Sequence, residues 1–252
     1  MTKLDGALAL VTGASSGIGR ATALELAAAG CRLLLCGRDE ARLERVVVDT
    51  DGDYVVADLA DADDVRRLAE RVNAGPLPDL VVHNAGVGLS GPLCTLGDAE
   101  IQRVLAVNLL APIGLTREWL PGMLERGGGH FVFVTSIAGL LGVPQESVYA
   151  ASKAGLTIFA ASLRSEVARF GLTVTTVAPG VVATEFSSRR GEPYTRRFPR
   201  PISADRVARA LVDAVEHDRA EVVVPGWLKL AVAVQALAPQ RYSTLSSRWG
   251  HP

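Results

Sequence analysis

Cysteine is scarce and dispersed. The 252-residue chain has three, Cys31, Cys36 and Cys94, and none forms a Cys-x-x-Cys pair. An odd, scattered set argues against a disulfide framework and suits a reducing, cytoplasmic compartment. Histidine is as thin. His83, His130, His217 and His251 lack metal-ligand spacing, so no metal site is expected. An excess of charge of one sign is missing too. With 26 basic and 27 acidic residues the net charge is -1, so no overall basic field recruits nucleic acid. No window reaches 18 uninterrupted apolar residues, which leaves no candidate membrane span. The opening "MTKLDGALALVTGASSG" runs at once into glycine and does not read as a secretory signal.

What is present is an apolar share of 48%, enough for one well-buried core. Short apolar runs at 7–12, 32–36, 54–57, 79–84, 130–136, 172–179 and 221–226 read as strands. Most lack period-2 alternation, as expected of strands covered on both faces. Helix-length segments fall between them, at about 17–29, 39–48, 61–73, 98–125, 147–170 and 203–217. Such strand–helix–strand alternation implies an α/β fold: a parallel sheet, doubly wound, with right-handed crossovers. No linker divides residues 1–225, which are expected to form one domain. An apolar run and a polar tail occupy 226–252.

Directly after the first strand, "LVTGASSGIGRA" places Gly13, Gly17 and Gly19 in a G-x-x-x-G-x-G spacing. Glycines there let backbone approach a pyrophosphate, and the following helix N-terminus offers free N–H groups to phosphates. An ordinary strand–helix turn is the competing reading, and the flanking strand and helix favour the dinucleotide. Folds of this kind often put an acidic residue at the end of the second strand for the ribose 2′-OH. Here Cys36 and Gly37 stand in those positions and Arg38 follows. A guanidinium suits a 2′-phosphate, which favours NADP(H) over NAD(H). Asp39 could meet a 2′-OH instead, but it sits where a helix N-cap is expected.

Further along come "NAG" (84–86), Asn108 in "AVNLLAP", Ser136 in "VTSIAG", "YAASK" (149–153) and "PGVVAT" (179–184). With "TGASSGIG" (12–19), these motifs agree in order and spacing with the short-chain dehydrogenase/reductase family, which the chain resembles over about residues 5–225. The resemblance implies a single Rossmann domain whose seven-stranded parallel sheet has the order 3-2-1-4-5-6-7, with helices on both faces. It also implies a catalytic set of Asn108, Ser136, Tyr149 and Lys153. Tyr149 and Lys153 stand at i and i+4, so on a helix they share one face. A free phenol titrates near 10; the ammonium and an oxidised nicotinamide are expected to lower it towards working pH. Tyr149 would then be general acid in carbonyl reduction and base in alcohol oxidation. Ser136 would hydrogen-bond the substrate oxygen. Lys153 would hold the nicotinamide ribose, and Asn108 would help hold a relay water. A mid-helix polar residue bonding a nearby carbonyl is the plainer reading of Asn108.

By the same resemblance, Ser15, Ser16 and Ile18 would contact the cofactor with the three glycines. Asp58 and Leu59 would meet the adenine, unless Asp58 simply caps the next helix. Asn84, Ala85 and Gly86 would line the adenine ribose. Pro179 and Gly180 would shape the nicotinamide pocket, and Val182 and Thr184 would meet the carboxamide. His83 reads as a packed core residue.

Three segments are placed to select a substrate: 87–97, 137–146 and 185–203. The first two are mostly apolar or small and suggest a hydrophobic carbonyl or alcohol. The third holds Arg189, Arg190, Arg196, Arg197 and Arg200 against Glu185 and Glu192. A solvated loop is the favoured reading, with a lid for an anionic substrate as the alternative. In 226–252, Trp227, Leu230, Val234 and Leu237 recur at helix-like intervals. They are expected to pack on the same domain or a sister subunit, rather than to form a lid over the pocket or to lie on a membrane surface through Lys229 and Arg241. The family commonly pairs subunits through helices, so a homodimer or homotetramer is expected. The expected activity is an NADP(H)-dependent oxidoreductase interconverting ketone or aldehyde and alcohol; a non-catalytic NADP(H) sensor or scaffold is the alternative.

Overall fold

The computed structural model describes residues 1–190, 199–240 and 242. Seven strands run β1 Leu8–Thr12, β2 Arg32–Gly37, β3 Asp53–Val56, β4 Leu80–His83, β5 Gly129–Val134, β6 Leu172–Pro179 and β7 Glu221–Val224. They form one all-parallel sheet in the order β3-β2-β1-β4-β5-β6-β7. The order reverses between β1 and β4, which opens a crevice at their C-terminal ends. Ten α-helices lie among the described residues: α1 Gly17–Ala28, α2 Glu40–Thr50, α3 Ala62–Asn73, α4 Asp98–Leu105, α5 Ala111–Arg126, α6 Ala138–Leu141, α7 Ser147–Val167, α8 Phe186–Arg189, α9 Ala204–Glu216 and α10 Leu228–Leu237.

The unbroken apolar runs of the strands serve two cores at once. In β5, Val132 and Val134 face the layer built on Leu26, Leu43 and Leu211, while Phe131 and Phe133 face Trp119, Leu115 and Leu156. Side chains alternate across a strand, so a sheet covered on both faces needs apolar residues at every position. His83 is fully in the second core, with its ring centroid 5.1 Å from that of Phe133 and Thr116 Oγ1 3.0 Å from its Nε2. Burial pushes it down to about 3, so it is a neutral packing residue, as its sequence context suggests.

The expected helix over 98–125 is broken. A π-helical turn, Ala106–Leu110, separates α4 from α5, and the Ala111 N–H bonds the Ala106 carbonyl. Pro112 stands four residues after Asn108 and has no N–H to return to the Asn108 carbonyl, so the α-helical register cannot pass through unchanged. Asp39 caps α2 by accepting from the Arg42 N–H, as preferred from sequence. The capping alternative for Asp58 fails: Asp61 caps α3, taking the Asp63 and Asp64 N–H groups. The strand expected over 130–136 ends at Val134, and α6 occupies part of the segment expected as loop at 137–146.

At the C-terminal end, Leu228 of α10 packs with Ala178, Val223, Ile137 and Leu140. Leu230 and Leu237 are 72% and 87% exposed, so among the described residues the helix covers only part of its apolar surface.

Candidate active site

The crevice is a cleft of about 1630 Å³. Its walls contain all the residues nominated for catalysis and cofactor binding except two, Gly19 and Asn108. Those two act from behind the wall. A Cβ on Gly19 would lie 2.2 Å from the Gly13 carbonyl oxygen and 2.4 Å from Asn84 Nδ2, so only glycine lets α1 seat against the turn. Gly13 and Gly17 have φ of +67° and +54°, which glycine adopts without strain. The turn is stitched to β4 by Thr12. Its hydroxyl accepts from the Asn84 and Ala85 N–H groups, both at 3.0 Å, while Asn84 Nδ2 donates to the Thr12 carbonyl at 2.9 Å.

At the far end of β2, Arg38 and Asp58 face each other at 3.6 Å, and Arg103 donates to the same carboxylate at 2.8 Å. The two guanidiniums and the Ala60 N–H hold Asp58 below the usual carboxylate range, outweighing the opposing pull of its partial burial. Ser15 completes this corner: its Oγ lies 3.3 Å from where a Gly37 Cβ would be.

Tyr149 and Lys153 sit one turn apart on α7, and both line the cleft although buried. Lys153 Nζ donates to the Val134 carbonyl at 2.9 Å. Among the described residues no carboxylate is paired with it, and burial pushes the ammonium down from 10.5 to about 8. Gly86 makes room for it, since a Cβ there would be 3.3 Å from Nζ. The expected lowering of the tyrosine combined the ammonium with an oxidised nicotinamide, and the chain's own groups do not produce it. In the chain itself Tyr149 is pushed up from 10.0 to about 12, first by burial and further by Glu146. A hydrogen bond with Ser136 and the charge of Arg190 pull it back only in part. Desolvation of the phenolate outweighs the pull of Ser136 and Arg190.

Asn108 is fully buried. Its Nδ2 donates to Ser152 Oγ at 3.0 Å, and Ser152 Oγ in turn donates to the Tyr149 carbonyl at 2.7 Å. Thr12 and Ser152 are structural partners that the sequence reading did not single out. Thr12 opens the "TGASSGIG" motif and Ser152 lies inside "YAASK", so position within a motif was the available signal. On the α7 side of the cleft, the Phe186 ring centroid lies 5.7 Å from that of Tyr149, and Arg190 pairs with Glu146. The side chains of Arg189, Glu192, Arg196 and Arg197, named with the substrate loop, lie outside what the structure describes, as do Arg241 and His251.

A dinucleotide fold with a Ser–Tyr–Lys cleft defines a class, and comparison with known proteins agrees. The family model for short chain dehydrogenases matches residues 7–195. A ketoacyl reductase of a Nostoc species, HetN, is 34% identical over 255 residues, covering 95% of this chain and 88% of its own. A short-chain dehydrogenase from Sphingobium yanoikuyae, solved in complex with NADPH, superposes with a TM-score of 0.83 at 26% identity, covering 93% of this chain and 95% of that one. One from Burkholderia phymatum, in complex with NAD, gives 0.85 at 26% identity, over 95% and 96%. The chain belongs to the short-chain dehydrogenase/reductase family and is an oxidoreductase. These two solved relatives hold NADPH and NAD respectively. Among the described residues no helix is long and apolar enough to cross a membrane.

Proposed function

We propose that the chain is an NADP(H)-dependent reductase of hydrophobic ketones or aldehydes, able to run in reverse on the alcohol. The carrying observation is that Ser136, Tyr149 and Lys153 line one cleft with Arg38 at its other end. The cleft suits a dinucleotide on chemical grounds. The Lys153 ammonium spends one of its three donors on Val134, which leaves two for ribose hydroxyls. Arg38 stands at the end of β2 with no acidic residue in the two positions before it, which favours a 2′-phosphate.

A bound nicotinamide supplies or accepts the hydride. The protein's residues do the rest. Ser136 Oγ bonds the carbonyl oxygen as negative charge gathers on it. Tyr149 delivers the proton to that oxygen. In the chain alone burial keeps the phenol protonated, which is the form that donates to the substrate oxygen. Asn108 supports this from behind, and the Pro112-broken turn leaves its carbonyl without an α-helical partner, suited to a relay water.

The substrate end is lined by Leu141, Val143, Pro144, Trp227, Leu228 and Ala231. That apolar lining, with the HetN similarity, makes 3-ketoacyl thioesters the first compounds to try. In this reading α10 belongs to the same domain as a wall of the pocket: Gly180 leaves space for Leu228, whose Cδ1 would be 2.8 Å from a Cβ there. Ile158 on α7 and Leu110 beside α5 are 67% and 62% exposed, which supports pairing of two copies through these helices. Three dispersed free cysteines support a cytoplasmic location.

The test follows NADPH absorbance against a carbonyl panel, with Tyr149→Phe beside the wild type. Turnover should fall by about 10²–10⁴-fold in the variant while NADPH still binds. Tight NADPH binding without turnover of any carbonyl by the wild type would instead favour a sensor.

A further inference from the structure

Arg42, in the first turn of α2, reaches across the cleft mouth. Its Nη1 donates to Glu185 Oε2 at 2.8 Å, between residues 143 apart in sequence, and its Nε lies 3.1 Å from Asp39 Oδ2. Arg38 and Arg42 flank the same carboxylate-capped turn and line the same wall as Ser15. Glu185 follows Thr184, whose Cγ2 lies 3.3 Å from where a Cβ on Gly17 would stand. The segment 182–185 thus crosses from the substrate side to the glycine turn, and Phe186, next in line, packs near Tyr149.

We propose that Arg42 is an exchangeable contact: it pairs with Glu185 until a cofactor 2′-phosphate takes the guanidinium, so that the phosphate and the substrate-side segment compete for one cation. The proposal rests on the NADP(H) reading above and adds to it a residue and a coupling. The pair is solvent-accessible, with side chains 32% and 54% exposed, and exposed ion pairs are weak. A phosphate monoester carries close to two charges and accepts bidentate guanidinium bonds, so it outcompetes a single exposed carboxylate. A ribose with only its hydroxyl offers no charge to displace Glu185. NADP(H) therefore removes this one contact from the segment that leads to Phe186, where NAD(H) leaves it in place. The coupling is reciprocal: whatever weakens the Glu185 hold strengthens phosphate binding.

The experiment titrates full-length wild type, Arg42→Gln, Glu185→Gln and the double variant with NADPH and with NADH, by tryptophan fluorescence. Arg42→Gln should weaken NADPH about tenfold, the loss of one charge-assisted contact, and NADH less than about twofold. Glu185→Gln should tighten NADPH several-fold over NADH, and this gain should vanish in the double variant. Retained NADH binding reports that each variant is folded. Equal effects of Arg42→Gln on both nucleotides, or an unchanged NADPH/NADH ratio in Glu185→Gln, overturns the proposal. A wild-type preference for NADH defeats both this inference and the NADP(H) reading. A preference for NADPH that falls with Arg38→Gln but not with Arg42→Gln defeats this inference alone.

Discussion

Asn108 grips Val87 by both of its backbone polar groups: Oδ1 accepts from the Val87 N–H at 2.8 Å, and Nδ2 donates to the Val87 carbonyl at 2.9 Å. One buried amide thus joins the π-turn after α4 to the segment following β4, and through Ser152 it reaches α7. The side chain is a brace, and its donors and acceptor are already used within the protein.

Replacing that brace should cost both stability and turnover. Asn108→Leu takes the partner from the part-buried Val87 N–H and carbonyl and a donor from the fully buried Ser152 hydroxyl, which still bonds the Tyr149 carbonyl. At about 1–3 kcal/mol for each unsatisfied buried group, a loss of about 3 kcal/mol or more is expected. Urea unfolding measures it. A midpoint within error of wild type would show that these bonds hold nothing together.

Lys153 should be a residue that function keeps against stability. Its ammonium titrates at about 8 in the folded chain and at 10.5 when exposed, so the unfolded chain binds more protons between those values. Stability therefore rises with pH through that window, and below pH 8 the buried charge costs about 3 kcal/mol, at about 1.4 kcal/mol per tenfold in proton affinity. Lys153→Met should lose turnover yet melt above wild type at pH 7, with the difference closing as pH approaches 10.5. A variant that melts lower at pH 7 contradicts this.

Two glycine substitutions should part company. Gly19→Ala would put a Cβ 2.2 Å from the Gly13 carbonyl oxygen, so backbone must move and dinucleotide binding should be lost with about 3 kcal/mol or more of stability. Gly128→Ala meets nothing within 4 Å and needs no left-handed backbone. It should be neutral or slightly stabilising, by about 0.4–1 kcal/mol. Thermal melts and NADPH titration of the pair measure both; similar behaviour of the two would show that the tight turn has slack.

Much of the fold was legible because its signals are local. Apolar runs of strand length, glycines immediately after β1 and the i, i+4 spacing of Tyr149 and Lys153 each lie within a few residues of one another. The resemblance to the family supplied the strand order and the role of Ser136. The π-turn was legible in principle, since Pro112 was in view inside the expected helix, but one missing N–H does not say which register the chain adopts instead. The upward push on Tyr149 in the chain alone was not legible, because the i, i+4 spacing shows the neighbouring charge and not the depth of burial.

The sequence by itself determined the architecture, the positions of the glycine turn and the Tyr–Lys pair, and the membership that those motifs announce. Tertiary structure decided which of these residues form the wall of the cleft and which brace it from behind, how far burial moves Tyr149 and Lys153, and that Arg42 meets Glu185. The division has one physical cause. Backbone preference and side-chain periodicity act between near neighbours, whereas desolvation and hydrogen-bond partnership depend on which distant segments fold against each other.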